Sequence, residues 1–521
     1  MSPVWGALLL IYFVVLGGLA LFGTHRLYLS ALFLTRRRRP ALAPGAVPSV
    51  TVQLPVFNEI HVLERLVAAA CALRHPRSLL QIQILDDSTD ATTRLAAALA
   101  AEWSERGFDI TCIHRDRRDG FKAGALAHAM ASARGEFLAI FDADFVPPAD
   151  FLERALAPFG DPRVGMVQAR WGHLNRGHSA LTRAQALILD AHFRVEQGAR
   201  AASGRFFGFN GTAGIFRRRC IEEAGGWQTD TLTEDLDLSY RAQVAGWEFR
   251  FMDDLICPAE LPVEMDALRT QQHRWAKGSL QTALKLAPAL LRAPLRPRIR
   301  LEAALHLTNN LAYLLLCAAS ILVVPALAAR KALGWSAAPV DLALFIAGTC
   351  SFALYAAVSQ RGTGRGAARS LADILLAMAL GAGLALNNAL AVLEALRRIP
   401  GAFERTPKYG ADDRTPDRTR RRVGRLYRGE PTSLPPIELL LAILLTASTA
   451  WALSEGLYAS IPFIVLFATG YAYVSLTSLI QQHRRRSASA PEVPSPTVVA
   501  FEGRGALPLR RPLRTSSEHR P

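Results

Sequence analysis

The sequence predicts an α/β domain, a mostly parallel sheet covered by helices on both faces, set between membrane-spanning helices. Three observations carry this prediction. Strand and helix signals alternate from residue 49 to residue 290. Two acidic clusters, Asp86-Asp87 and Asp142-Ala143-Asp144, each end an apolar strand. Long uncharged apolar stretches lie on both sides of that block. A chain of 521 residues accommodates a core-forming domain of about 250 residues and several membrane helices. Its residues are 50% apolar and its mean hydropathy is +0.17, high for a wholly soluble protein.

Residues 4–24 carry no charge and are long enough to cross a hydrocarbon core of about 30 Å. No basic segment precedes them and no cleavage site follows, so 1–34 reads as an anchor and not as a signal peptide. The basic run Arg36 to Arg39 then places the next domain, 49–290, on the cytoplasmic side. Ser49 to Leu54 reads as a strand running into Pro55-Val56-Phe57-Asn58-Glu59. A helix carrying Leu63, Leu66 and Ala70 follows. Ile82 to Leu85 is a second strand, ending on Asp86-Asp87, and a helix spans about 90–105. Ile110 to Ile113 is a third strand, Lys122 to Ala131 a helix, and Phe137 to Phe141 a fourth strand ending on Asp142. Ligands of such sheets bind beyond the C-terminal ends of the strands, where both acidic clusters fall.

Further spans are expected at about 305–329, 340–359, 435–454 and 459–480. A sixth apolar run, 371–394, contains Asn387, Asn388 and Glu394, poor residues for lipid. It reads as a helix or broken helix at the cytoplasmic interface. Five crossings then keep the basic loop 397–433 and Arg484 to Arg486 inside; six crossings would put that loop outside. Residues 397–428 hold eleven Lys/Arg against four acids. The chain thus divides further into 301–396, 397–433, 434–481 and a Ser-, Pro- and Arg-rich tail, 487–521, expected to be disordered. Net charge is +16 and the pI about 10.1. The positive charge gathers beside apolar segments, which fits membrane orientation and not a nucleic-acid face. Six cysteines without C-x-x-C spacing argue against a zinc cluster or disulfide framework.

Chemistry concentrates in a few places. Asp142 and Asp144, at i and i+2 past a strand end, suit one hard divalent ion such as Mg²⁺ or Mn²⁺ bridging to phosphate. Asp86 and Asp87 repel each other and need a cation or donors between them; Asp87 or Ser88 would alternatively cap the next helix. Thr233-Glu234-Asp235 reads either as a catalytic acid pair or as an acidic helix start capped by Thr233. In Gln271-Gln272-His273-Arg274-Trp275, Gln271 and Arg274 share a helix side. Phe206 to Gly214 is rich in glycine and aromatic residues, and its rings are expected to be exposed. No P-loop or dinucleotide fingerprint occurs. No Ser-His-Asp or Cys-His arrangement supports a covalent nucleophile. The expected spans are nearly uncharged, which disfavours a transporter.

These clusters, in this order, resemble the membrane-embedded family 2 glycosyltransferases, the group of cellulose and mannan synthases. Leu85 to Asp90, Val167 to Trp171 and Phe207 to Gly214 look most like plant-type glucomannan and xyloglucan-backbone synthases. Where cellulose synthases have Cys-Gly-Ser, this chain has Gly208-Phe209-Asn210. The resemblance implies a GT-A-type fold and an inverting transfer of a hexose from a nucleotide sugar, GDP-mannose or UDP-glucose. The acceptor would be a growing β-linked polysaccharide, moved through the membrane, or alternatively a lipid. It implies donor contacts from Pro55, Asn58, Glu59, Asp86, Asp87, Lys122 and Asp142, with Asp142 and Asp144 on the metal. Asp235 would be the base and Glu234 would orient the site. Gln271, His273 and Arg274 would meet the diphosphate, and Trp275 would carry an acceptor ring. Phe209, Asn210, Gly211 and Thr212 match the acceptor region. Thr406-Pro407-Lys408 resembles the family's gating loop, whose basic and hydroxyl residues reach the donor; the plainer reading is a solvated loop. Partners beyond sugars would be membrane lipids, not nucleic acid.

Overall fold

The computed structural model describes residues 3–36, 47–334, 340, 343–344, 346–364, 366–401, 405–411, 413 and 432–487. The tail from 488, Arg37 to Arg39 and all of 414–431 lie outside the described residues.

A seven-stranded sheet forms the centre of the domain, in the order β3-β2-β1-β4-β6-β5-β7. The strands are β1 (Val50–Val56), β2 (Leu80–Asp86), β3 (Asp109–His114), β4 (Phe137–Ile140), β5 (Val164–His173), β6 (Gly214–Arg217) and β7 (Glu248–Ala259). All pairings are parallel except those of β6, which runs antiparallel to β4 and β5. Strand residues alternate between two cores. Val50, Val52, Leu54, Phe137, Ala139 and Phe141 pack under the helices Leu63–Cys71 and Thr92–Glu105. Leu138, Ile140 and Phe216 face the helices Phe121–Ala129 and Glu234–Val244. Central strands with both faces covered are read as near-continuous burial, as β1 and β2 are. Their polar members pair across the sheet: Thr51 Oγ1 donates to Gln81 Oε1 (2.8 Å) and Gln53 Nε2 to Gln83 Oε1 (3.1 Å). Buried amides are tolerated because each finds a partner.

Among the described residues, four helices are long and apolar enough to cross a membrane: Pro3–Thr35, Leu311–Leu333, Pro435–Ser454 and Tyr458–Arg484. The span expected at 340–359 is represented by a shorter apolar helix, Ile346–Ser359. The run 371–394 is a broken helix, Ala367–Gly383 followed by Ala385–Leu396, bent by 46°. Its asparagines are buried, and Asn387 Nδ2 donates to Arg269 O (3.1 Å) and Asn388 Oδ1 (2.9 Å). The polar groups that argue against lipid therefore face protein. At the break, a Cβ on Gly383 would lie 2.2 Å from Gly470 O, so only glycine permits this helix contact. The first helix leaves Leu10, Ile11, Val14 and Leu21 exposed, as a lipid-facing surface would.

Candidate active site

Parallel register brings the C-terminal ends of β1, β2 and β4 to one edge; Val56 lies opposite Asp86. Beyond that edge is a cavity of about 190 Å³. From these three ends come Pro55, Glu59, Asp87, Asp142 and Asp144. The N-terminus of the helix Glu234–Val244 adds Glu234 and Asp235, and the helix Met265–Arg292 adds Gln271, Arg274 and Trp275. Lys122, from the first turn of Phe121–Ala129, together with Asn210 and Gly211, completes the wall. Thr406 and Lys408 lie over it.

Four acids that line the cavity, Asp142, Asp144, Glu59 and Asp87, each pair with a cation. Lys122 Nζ donates to Asp142 Oδ1 (2.5 Å) and Gly211 O (2.7 Å). Lys408 Nζ donates to Asp144 Oδ2 (2.7 Å). Arg405 forks onto Glu59 at 2.9 and 3.0 Å. Arg115 forks onto Asp87 at 2.7 and 2.5 Å. Burial works against the Lys122 ammonium, but Asp142, Glu234 and Asp235 hold its pKa above the ordinary lysine value. Burial, and then the Glu234 charge, push Asp235 up to about 7, with Lys122 pulling the other way. Burial likewise raises Glu234. Gly211, at φ +80°, brings its backbone against Asp235; an added Cβ would sit 3.1 Å from Asp235 Oδ2. Trp275 and Trp171 form an aromatic corner, ring centroids 6.4 Å apart.

Several expected site residues do not face the cavity. Asp86 is fully buried beneath it, paired with His114 Nδ1 (2.7 Å) and accepting from Ser88 N–H (3.0 Å). Asn58, at φ +56°, ties the β1 turn to the β2 turn by exchanging hydrogen bonds with Thr89. His273 pairs with Glu394 (3.5 Å) on the neighbouring helix and not with the phosphate side. The rings of Phe207 and Phe209 are buried against Phe249 and Phe216, so the expected exposed platform there is corrected: they are core. Thr212 is buried too, its Oγ1 accepting from Asp142 N–H (2.8 Å) and so fixing the Asp142 backbone. Two capping readings also fall. Asp90, not Asp87 or Ser88, accepts from Thr92 N–H (2.8 Å). Thr233 stands at the helix start, but its hydroxyl bonds to Thr282 (3.1 Å).

Arg405 and Arg118 are lining residues that sequence reasoning missed. Arg118 stacks over the Phe57 ring at 3.5 Å. Arg405 stands next to Thr406-Pro407-Lys408, but the surrounding basic run reads as an orientation signal.

Asp142 and Asp144 offer oxygen ligands only. Among the described residues no three of His, Cys, Asp and Glu converge as a complete cage. Two carboxylates with open positions fit Mg²⁺ or Mn²⁺, which fill the rest with phosphate and water.

The family model described as "Glycosyltransferase like family 2" matches residues 48–278. Glucomannan 4-beta-mannosyltransferase 7 of Arabidopsis thaliana is 44% identical over 255 residues, 48% of this chain and 46% of that protein. Probable glucomannan 4-beta-mannosyltransferase 15 of the same plant is 43% identical over 250 residues, 47% of this chain and 46% of that protein. The chain spans about half the length of these curated relatives. A mannosyltransferase from Pyrobaculum calidifontis, solved in complex with GDP-Man and Mn²⁺, superposes with a TM-score of 0.50. It is 23% identical, and the match covers 76% of this chain and 100% of that one, a likeness of fold.

Proposed function

We propose that the domain over residues 48–278 is a family 2 glycosyltransferase domain, and that the chain is an inverting hexosyltransferase that extends a β-linked mannan- or glucomannan-like polymer from GDP-mannose. The observation that carries this reading is one cavity lined by Asp142, Asp144, Asp235, Arg274 and Trp275. Asp235 takes the acceptor hydroxyl's proton as that oxygen attacks the anomeric carbon. The bond to the diphosphate breaks on the opposite face, and its electron pair stays with the phosphate oxygen. Arg274 and Lys408 offer charge to that leaving group. Mg²⁺ or Mn²⁺, held by Asp142 and Asp144, neutralises the diphosphate when bound. Lys122 holds Asp142 and the Gly211 backbone together beside the base. Trp275, with Trp171 behind it, supports the acceptor ring.

The choice of GDP-mannose rests on the 44% identity to a plant mannosyltransferase, with UDP-glucose as the alternative donor. The several apolar helices after the domain favour a polymer moved through the membrane over a glycolipid carrying one sugar. The domain and the loop 397–433 lie on the cytoplasmic side, where nucleotide sugars are. The test supplies isolated membranes with GDP-mannose or UDP-glucose, and with Mn²⁺ or Mg²⁺, and sizes the product. Sugar from GDP-mannose should enter material of many residues. Incorporation confined to a chloroform-soluble species of one sugar would replace the polymer reading by the glycolipid one.

A further inference from the structure

Asn210 lines the cavity next to Gly211, whose backbone lies against Asp235. Its side-chain amide is fixed from two sides. Gln197 Nε2 donates to Gly208 O (2.9 Å) and to Asn210 Oδ1 (2.6 Å). A carbonyl only accepts, so the Gly208 oxygen sets which end of Gln197 faces Asn210. On the other side, Asn210 Nδ2 donates to His192 Nε2 (3.1 Å), and His192 Nδ1 donates to Glu196 Oε2 (3.2 Å). Burial works against the Glu196 carboxylate, but the Arg200 charge and the His192 hydrogen bond hold its pKa well below the ordinary range. An ionised carboxylate only accepts, so the imidazole carries its hydrogen on Nδ1 and leaves Nε2 as an acceptor. Both ends of the chain therefore demand one orientation of the Asn210 amide. Its second Nδ2 hydrogen has no protein partner among the described residues.

The helix widens to a π-type turn over His192–Gln197, a local form that recurs at functional sites. That turn supplies His192, Glu196 and Gln197 together. It also supplies Phe193, whose ring meets Trp171 at 5.0 Å, and Trp171 backs Trp275. One turn thus underlies the polar and the aromatic parts of the same wall. The bundle grips it through Glu196, which accepts from Tyr355 OH (2.9 Å) and Arg200 Nη1 (3.1 Å). Arg200 Nε donates in turn to Glu302 (2.9 Å), which meets His25 of the first helix at 3.0 Å.

We propose that His192 is the positioning residue for Asn210, and that it presents the uncommitted Asn210 N–H to a hydroxyl oxygen of the acceptor sugar. The proposal rests on the sugar-transfer reading of the site. Without an acceptor at Nε2 the amide is free to turn its oxygen outward, and a hydroxyl beside Asp235 loses its alignment. His192 and Glu196 do not line the cavity themselves, so donor binding is left alone.

The test uses the full-length protein in detergent, with soluble mannohexaose and GDP-mannose as probes. Two amide variants differ only in reach. His192→Gln carries its oxygen to the place of Nε2 and should keep the acceptor for Asn210. His192→Asn carries it to the place of Nδ1 and should leave Asn210 unsupported. By calorimetry, His192→Asn should bind mannohexaose at least about fivefold more weakly than His192→Gln. Both should bind GDP-mannose with Mn²⁺ within about threefold of the parent. Transfer by His192→Asn should fall at least about tenfold, with more of its GDP released by hydrolysis of the donor to free mannose. Adding His192→Asn to Asn210→Leu should cost little beyond Asn210→Leu alone, because both act through one amide. A merely structural role would weaken both probes together and make the losses additive. Equal mannohexaose binding by His192→Gln and His192→Asn would overturn the proposal, as would a parent that binds no mannohexaose. Should His192→Asn fail to fold, unchanged mannohexaose binding in Asn210→Leu overturns it, and weakened binding there beside parental binding in His192→Gln upholds it. A parent that transfers no sugar, beside the expected difference in mannohexaose binding, would discard the transferase reading and keep the positioning role.

Discussion

Asp235 stands half-buried at the cavity wall, with its carboxyl raised to about 7 by burial and by the neighbouring Glu234 charge. A base works only when ionised, so a raised pKa removes activity on the acid side. The kcat of transfer should therefore climb as pH rises through about 7 and decline below it. The pH profile of kcat at saturating donor measures this; a flat profile from pH 5 to 8 would exclude Asp235 as the titrating base. Asp235→Asn should lose about 10²–10⁴-fold in transfer, the usual contribution of a general base. Its donor affinity should stay within about threefold, because the phosphate side is untouched. Asp142→Asn and Asp144→Asn should behave in the opposite way, losing Mn²⁺-dependent donor binding first. Donor titrations across Mn²⁺ concentration separate the two classes. At this scale the sequence shows most of the cavity's acids, since Glu59, Asp87, Asp142 and Asp144 follow apolar strands and Glu234 and Asp235 open a helix. It hides which of two adjacent acids faces the ligand. Asp86 and Asp87 look alike in sequence, yet pleating turns one onto His114 and the other onto Arg115 at the cavity.

The helix Met265–Arg292 carries Gln271, Arg274 and Trp275, and the bundle clamps it by ion pairs. Arg269 forks onto Glu438 of the helix Pro435–Ser454, with both side chains nearly inaccessible. Lys277 Nζ donates to Glu394 Oε2 (2.8 Å) of the broken helix pair. A buried charge left without its partner is costly, about 3–5 kcal/mol. Glu438→Leu should therefore lower the thermal midpoint of the detergent-solubilised protein sharply. The double variant Arg269→Met, Glu438→Leu should regain most of that loss, because it strands no charge. Thermal unfolding followed by circular dichroism compares the two; equal losses in both would mean that packing, not charge, holds the helix. Among the first four strands, β1, β2 and β4 are legible because both faces are buried, and the edge strand β3 through its short run Ile110 to Ile113. The later ones are not. β6 has four residues and pairs antiparallel, and β5 and β7 carry Arg170, Asp253 and Asp254 together with register shifts. Glycine beside Phe207 and Phe209 suggests exposed rings. The tertiary core overrides that local signal, packing Phe209 edge-on to Phe216 at 5.0 Å.

At the scale of the molecule, the candidate site and the apolar bundle share the helix Met265–Arg292, and the domain's helix Ala180–Ala191 packs on the bundle as well. Sequence shows the membrane class plainly, since long uncharged runs have few other uses. The role of Arg405 is not legible, because it pairs with Glu59 across 346 positions of sequence. If the loop 397–433 is cytoplasmic, Arg422→Cys in a Cys350→Ala background should react with an impermeant thiol reagent only after membranes are opened. Labelling in intact cells would put the loop outside and remove the role proposed for Lys408. The central claim, inverting transfer at Asp235, is tested most directly by product stereochemistry. Purified full-length protein is supplied with GDP-mannose and Mn²⁺, and the anomeric configuration of the new linkage is read by nuclear magnetic resonance beside the Asp235→Asn variant. The account predicts β-linked mannose from the α-linked donor, and a variant that binds the donor yet forms almost no linkage. An α-linked product, or undiminished synthesis by Asp235→Asn, would contradict it.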